Sequence, residues 1–302
     1  MMYVKKYWFW LAITTVLISW TANTWYFKSK QIDAPIFLTH YIEESIGNPT
    51  FLTLYYITNK SDHKDLQVVK LDDLLLYPQQ HDGFIYMDSD QLQRQNVHQE
   101  FTHHYIRKTT FEISKDRLSP QHLKDGIDVK NIEAIFSERA PMTVPIGHIR
   151  LLPPVSHTRV LHSQSSSSSN DGSRRVAYTA SERMTIEKIK KPFEQEIGNE
   201  YKIEFIKHNS SPNQRANKTP KQQTITEWPL ELEVNDVLIT KVQFNMDSKN
   251  ALSPQLSIVG KTHSGKSFQV PIFNDGETYL EQEDINSYIN RSKEVRSHAK
   301  SL

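Results

Sequence analysis

The chain contains no cysteine among its 302 residues. It therefore forms no disulfide, carries no lipid-modified cysteine and has no thiol nucleophile, which excludes sortase-type transpeptidation. A chain without thiols is unaffected by an oxidising compartment. This composition suits an extracytoplasmic protein of a bacterial envelope, including a Gram-positive one.

The chain also lacks an excess of positive charge. It has 36 Lys and Arg residues against 35 Asp and Glu residues, and the lysines before Asp33 leave the rest slightly acidic. Proteins that bind along nucleic acid present a basic face to it. We therefore expect no nucleic-acid partner.

Charge is absent altogether from residues 7–27, which are flanked by Lys5-Lys6 and by Lys28 and Lys30. A helix of this length, rising about 1.5 Å per residue, spans a bilayer's hydrocarbon core. Tryptophan, tyrosine and phenylalanine cluster at both ends, as at membrane interfaces. The segment is predicted to be a transmembrane signal-anchor helix.

Two alternatives remain for this segment, a cleaved signal peptide and a buried helix. Cleavage needs small residues at two sites, and the best register, Ala22-x-Thr24, is poor. A buried helix of a soluble core rarely lacks a polar face over such a length. A short basic tail before the first apolar segment predicts a cytoplasmic N-terminus, a single pass through the cell membrane and an extracytoplasmic body.

Short β-rich runs separated by polar turns make up most of the body. Residues 51–58 and 66–71 are predicted to pair as a hairpin. Turns every 8–12 residues are typical of antiparallel sandwiches, so the predicted fold is mainly β and sandwich-like. The other runs predicted as strands are residues 74–77, 84–87, 101–113, 129–136 and 144–152.

The alternation of apolar and polar residues is clearest in the C-terminal part of the chain. Four runs of apolar residues, on one face of each strand, predict a meander over residues 230–273. A helix is predicted over residues 280–296, with Thr278 as its cap and Ile285, Tyr288 and Ile289 as an apolar stripe that docks on the sheet.

Residues 156–175 include the serine tract Ser165–Ser169, and their composition buries too little apolar surface to order itself. They are predicted to be either an interdomain linker or a long surface loop, so one or two extracytoplasmic domains remain open. The predicted division is a cytoplasmic tail (1–6), the anchor (7–27), a β domain (28–155), a serine-rich, partly disordered linker or insertion (156–225), and the meander with its helix (226–302).

Gly260 to Ser267 match the phosphate-loop pattern G-x-x-x-x-G-K-[ST] letter for letter. That loop needs a helix to start at Lys266, so that backbone N–H groups meet the phosphates. The following residues alternate like a strand and contain Pro271. We therefore interpret the match as a β-hairpin turn and predict no cofactor.

Two further patterns resemble catalytic or metal sites. Ser61 to Lys64 fit the S-x-x-K motif of serine acyl-transferring enzymes, but here the four residues form a polar tip between two strands. His98, His103 and His104 do not converge if they lie along an extended strand, and Asp88-Ser-Asp90 lacks the later ligands of a calcium loop. We predict no catalytic residue and no metal site.

The leading hypothesis is a non-catalytic, membrane-anchored extracytoplasmic β protein that contacts another envelope protein or a cell-wall polymer. One alternative is an anchored hydrolase acting on wall or peptide substrates. The other is a signalling accessory that acts through its transmembrane helix, since a six-residue tail is too short to bind a partner domain.

Overall fold

The computed structural model describes residues 2–47, 49–62, 64–79, 96–154, 160–169, 171–208, 222–272 and 278–300. Within these ranges strands dominate. The helices are α1 (Met2–Lys30), α2 (Pro120–Asp125), α3 (Glu194–Ile197) and α4 (Gln282–Lys300), with a 3₁₀ turn at Lys115–Arg117. The strands are β1 (Ile36–Phe37), β2 (His40–Ser45), β3 (Thr50–Asn59), β4 (Leu66–Leu71), β5 (Leu74–Leu76), β6 (Val97–Glu100), β7 (His104–Ile113), β8 (Ile127–Phe136), β9 (Met142–Leu152), β10 (Leu161–Ser168), β11 (Ser173–Ala180), β12 (Met184–Lys190), β13 (Tyr201–His208), β14 (Gln222–Ile225), β15 (Leu230–Leu232), β16 (Val237–Phe244), β17 (Ala251–Ser253), β18 (Leu256–Thr262) and β19 (Ser267–Ile272).

These strands form four sheets, which confirms the prediction of a mainly β protein with antiparallel sheets. Sheet I has the order β1-β3-β7-β6, and sheet II the order β17-β2-β9-β8-β4-β5. Sheet III is β10-β11-β16-β13-β14, and sheet IV is β15-β12-β18-β19. Every pair is antiparallel except β17–β2 and β2–β9 in sheet II.

Sheets I and II enclose one hydrophobic core, and sheets III and IV enclose another. Tyr56 and Phe111 of sheet I meet Phe136 and Ile149 of sheet II in the first core. The second core begins at Val160. The two cores share no residue, and whether the two halves fold independently stays a prediction.

A third cluster covers the outer face of sheet I. Alternate residues of β3 point to opposite faces, and here both faces are buried, because α4 packs on the outer one. Ile285 and Ile289 of α4 contact this cluster, so the predicted apolar stripe docks as expected. The cap prediction is wrong: α4 begins at Gln282, and the buried Thr278 hydroxyl donates to the Asn250 carbonyl.

The predicted hairpin between residues 51–58 and 66–71 is wrong, because β3 lies in sheet I and β4 in sheet II. The connection crosses from one sheet to the other and is held by the buried guanidinium of Arg107. This group donates to the Asp65 carboxylate (3.0 Å) and to the Asp62 carbonyl (3.3 Å). Alternation shows which side chains face a core but does not distinguish a hairpin from such a crossing.

The predicted four-stranded meander is also wrong, although its buried faces are confirmed for β16, β18 and β19. β16 is the centre of sheet III, whereas β15, β18 and β19 belong to sheet IV. Of the strands in the predicted meander, only β18 and β19 pair with each other as consecutive strands. Between β16 and β18 the chain forms β17, which pairs in parallel with β2 of the first half.

The serine tract is not a loop: Ser165–Ser168 belong to β10, which pairs with β11. The composition argument fails here because a strand ladder is formed by backbone groups, which need no apolar side chain. β11, β12 and β13, all within residues 156–225, also belong to sheets III and IV. This stretch therefore contributes to the second core. Residues 84–87 and 88–90 lie outside the described residues.

Helix α1 leaves its side chains exposed along almost its whole length from Lys6 onward. In the described part of the chain, no helix combines the length and the mean hydropathy required of a membrane-crossing segment.

The end of α1 is fixed to sheet I. The Asn59 amide accepts the Ile32 N–H and donates to the Ile32 carbonyl (2.9 and 2.7 Å). The His104 ring bonds the Lys30 carbonyl at 2.9 Å. We name these contacts the helix joint.

Candidate functional site

A network of six charged or titratable side chains lies where the outer face of sheet II meets the second half of the chain. We name it the junction cluster. Its central strand is β9, in which Ile149 and Leu151 face the first core, so that His148 and Arg150 face outward. Its members are Glu43, Asp128, His148, Arg150, Lys190 and Glu196.

Strand register places Arg150 between two acids. Its cross-strand neighbours are Glu43 on β2 and Asp128 on β8. The Arg150 Nε atom donates to the Asp128 carboxylate at 3.1 Å, and its Nη1 atom lies 3.8 Å from Glu43. This part of the cluster is formed within the first half.

Glu43 is almost completely buried, with a side chain 2 % exposed. A buried carboxylate is costly unless it is paired. Lys190, at the end of β12, supplies the closest partner, with Nζ 2.9 Å from the carboxylate. An ion pair between the two halves therefore compensates the buried charge of Glu43.

His148 adds a second link between the halves. Its Nε2 atom lies 2.7 Å from Asp128, and its Nδ1 atom lies 3.5 Å from Glu196 of α3. The ring also packs against Phe193, over which Arg150 lies at 4.9 Å. Among the described residues the Nδ1 atom forms no hydrogen bond, so Glu196 lies near the ring without accepting one from it.

An aspartate–histidine pair is also part of a hydrolytic triad, which needs a nucleophile within hydrogen-bond reach of the imidazole. In the described part of the chain the polar contacts of His148 are with Asp128, Arg150 and Glu196, and none is with a hydroxyl group. The described contacts of His148 are those of a network of charged side chains.

The sequence reasoning missed the junction cluster because its members are spread from Glu43 to Glu196. Alternation in β9 would have placed His148 and Arg150 on one outward face. The partners depend on strand order and on the packing of the two halves, which local patterns do not specify.

The phosphate-loop match forms a hairpin. β18 and β19 pair antiparallel from Leu256↔Ile272 to Lys261↔Ser267, with no helix at Lys266. The Thr262 N–H donates to the Lys266 carbonyl, and Gly265 has a φ of +82°, a turn conformation that favours glycine.

We expect Lys266→Ala to change the free energy of unfolding by only a few tenths of a kcal/mol, because this side chain is exposed at the turn. Gly265→Ala is the contrast, with an expected loss of about 1–2 kcal/mol from the left-handed conformation. Urea unfolding of both variants measures this. Saturable, magnesium-dependent ATP binding that Lys266→Ala abolishes would contradict the hairpin interpretation.

The S-x-x-K match lies in the crossing between sheets I and II. Ser61 is in a turn, and its hydroxyl donates to Gln31, while the Lys64 side chain contacts Glu138. This differs from the buried helix start that the acyl-transfer chemistry requires.

The three histidines have separate partners. The His98 ring bonds the Thr278 carbonyl at 2.8 Å, and His104 belongs to the helix joint. His103 packs edge-on against Tyr26 and Phe27 of α1. The expectation from the sequence places the three histidines along one extended strand. Instead, His98 is on β6 and His104 is on β7, and these strands pair as a hairpin. Among the described residues, the three rings do not form a metal cluster.

One cluster of metal-ligand type does occur among the described residues: Asp72, Asp73 and His122. His122 Nε2 lies 2.7 Å from Asp73, and both aspartates are exposed at the β4–β5 turn. Because about fifty residues separate the histidine from the aspartates, spacing in the sequence gave no signal.

A groove of about 680 Å³, wide open to solvent, runs along α4. Polar and charged side chains line it, including Asn286, Asn290 and Arg291. Such an open, polar surface differs from the enclosed, mostly apolar pockets that bind small molecules.

A comparison with protein families and with curated proteins finds no match to this chain.

Proposed function

We infer that this chain is a single-pass, membrane-anchored extracytoplasmic β protein that binds another envelope protein or a cell-wall polymer without catalysis. The helix joint is the observation that supports this most strongly. It connects the exposed helix α1, whose residues 7–27 carry no charge, to the β body through defined hydrogen bonds.

The surface of α1 supports the anchor. Trp8, Trp10, Leu17 and Trp25 are all more than half exposed, and the β body does not cover them. Apolar side chains in water are unfavourable by about 25 cal/mol per Å², which a hydrocarbon environment removes. A bilayer is the environment that covers such a helix on all sides.

The helix joint gives the anchor a structural purpose. Because Asn59 binds both backbone groups of Ile32, the chain has no free linker between α1 and sheet I. A body attached in this way keeps one orientation relative to the anchor. This arrangement suits a protein that presents a fixed surface to a partner at the membrane.

The junction cluster supports a binding role over a hydrolytic one. Its charges pair with each other across the two halves, and His148 faces carboxylates on both sides. A hydrolase acting on wall or peptide substrates would need a nucleophile or an activated water beside this imidazole.

A charge introduced at the middle of α1 tests the anchor. We expect Leu17→Arg to move the protein from the membrane fraction to the soluble fraction, since arginine at a helix centre costs about 2.5–3.5 kcal/mol on insertion scales. Ser29→Arg is the matched control and should stay in the membrane fraction. In intact cells, added protease should remove the body of the wild-type protein and spare α1.

Wild-type protein found in the soluble fraction, or a mature form that begins after residue 22, would contradict the anchor. The binding role is tested separately by co-sedimentation of the detergent-solubilised chain with purified cell-wall sacculi and by cross-linking in native membranes. Retention on sacculi supports a wall polymer, and one recurrent protein adduct supports an envelope protein. Failure of both would contradict the binding role.

A further inference from the structure

We propose that the edge strand β10 pairs with β10 of a second copy of this chain, so that two sheets III join across a two-fold axis. The proposal concerns an interaction surface on the second half, and it rests on the proposed membrane anchor, which confines the copies to one membrane.

Edge strands carry unpaired backbone groups that bind any other exposed strand, and proteins normally protect them. The described chain protects its other edges by shortness or by proline. β1, β5, β15 and β17 have two or three residues each, and β6 and β14 have four. β19 has six residues and contains Pro271.

β10 is neither short nor interrupted by proline; its pairing with β11 has one irregularity, between Ser163 and Ser165, and is regular from Ser165 to Ser168. It has eight residues, lies at the edge of sheet III, and contains neither proline nor a charged aspartate, glutamate, lysine or arginine. Every residue of the strand after Leu161 is exposed. The side chains of this strand therefore add little to the core of their own subunit.

The ladder shows which backbone groups are available. The Ser169 N–H donates to the Ser173 carbonyl at 2.9 Å. Along an antiparallel strand, the N–H and C=O groups of successive residues point alternately toward one neighbouring strand and toward the opposite side. Ser165 and Ser167 therefore bond to β11, whereas Ser166 and Ser168 direct their N–H and C=O groups to the open edge.

The chemistry of the strand favours a second copy over a foreign peptide. A bound peptide is selected by pockets beside the strand, and β10 offers only hydroxyl groups after Gln164. Two identical serine strands meet without like-charge repulsion, and serine pairs across strands form hydrogen bonds. The neighbouring arginines, Arg174 and Arg175, are on β11, one strand in from the edge.

One edge ladder of this length buries less than the roughly 1,200 Å² typical of a stable interface. The dimer is therefore weak in dilute solution. Two copies confined to one membrane or vesicle have a high effective concentration, which favours a weak contact of this kind.

The absence of cysteine makes the test direct. In the full-length protein in lipid vesicles, each serine from Ser163 to Ser168 is changed to cysteine, one at a time, and disulfide formation is measured. In an antiparallel pair Cα atoms lie about 4.5–5.5 Å apart, within the range that disulfides need. The expected result is a homodimer yield that peaks at one position and decreases on both sides.

Ser264→Cys, at the exposed β18–β19 turn, is the control for random collisions and should give several-fold less dimer than the peak position. Ser166→Pro, or Ser168→Pro if the peak is at Ser166, is added to the peak variant; it removes an outward N–H without breaking the ladder to β11, and should reduce the yield to the control level. Thermal unfolding verifies that the proline variant remains folded.

A flat yield across the tract, or a yield that a folded proline variant does not change, would overturn the proposal. In native membranes, an adduct of the peak variant with a different protein and no homodimer would also overturn it, and would identify β10 as a strand that binds a foreign peptide.

Discussion

Phe136→Ala is expected to lower the free energy of unfolding by about 3–5 kcal/mol, the range found for core phenylalanines. Phe136 is 1 % exposed at the end of β8. Its ring lies 5.5 Å from the Tyr56 ring and 6.2 Å from the Phe37 ring, so the truncation leaves a cavity between sheets I and II. Urea unfolding of the detergent-solubilised protein, followed by tyrosine and tryptophan fluorescence, measures the change.

Phe51→Ala is the matched control. It removes the same side chain from sheet I, which encloses the first core together with sheet II, but Phe51 is 45 % exposed. Its expected cost is well below that of Phe136→Ala, because fewer contacts and less buried area are lost. Equal costs for the two variants would mean that the first core is not where the structure places it.

The second large expected effect is a loss of stability at acid pH, caused by His40. His40 is completely buried, its Nδ1–H donates to the Leu38 carbonyl, and its Nε2 atom accepts the Tyr55 N–H. Burial lowers the pKa of His40 to about 4, although the bond to Leu38 opposes this shift. In the unfolded chain a histidine has a pKa near 6.5, so between these values the unfolded state binds the extra proton.

The contribution of neutral His40 to the free energy of unfolding is therefore fully present above about pH 6.5 and is lost as the pH falls toward 4. The expected loss by pH 4 is roughly 3 kcal/mol. His40→Gln isolates it: the difference in unfolding free energy between wild type and variant should shrink by this amount from pH 7 to pH 4. A difference that stays constant over this range would show that His40 is not a buried neutral group.

The sequence predicted what each strand buries better than which strand it joins. In β18 and β19, alternation correctly identified Leu256, Ile258, Phe268 and Val270 as core residues. The partners of β3 and β16 were predicted incorrectly. The alternation of apolar and polar residues is the same whether the next strand in the chain pairs with a given strand or lies in another sheet across the core. Pairing depends on packing between residues far apart in the chain.

The candidate site was less predictable than the fold. Lys190 reaches Glu43 only because the two halves pack together, and no spacing in the sequence encodes that contact. The letters of a motif were also not enough to identify a site. Gly260 to Ser267 contain every letter of the phosphate loop, and the strand alternation after Lys266 was what distinguished the hairpin from it.

The pairing of β17 with β2 affects how this protein is made. Ala251 lies beside His40, roughly 210 residues away along the chain, so the edge of sheet II is completed late in synthesis. α4, which covers the outer face of sheet I, is made later still. A nascent chain that emerges N-terminus first therefore exposes an open strand edge until β17 is made and an apolar sheet face until α4 is made. A chain truncated before residue 251 would keep both surfaces exposed and be prone to aggregation.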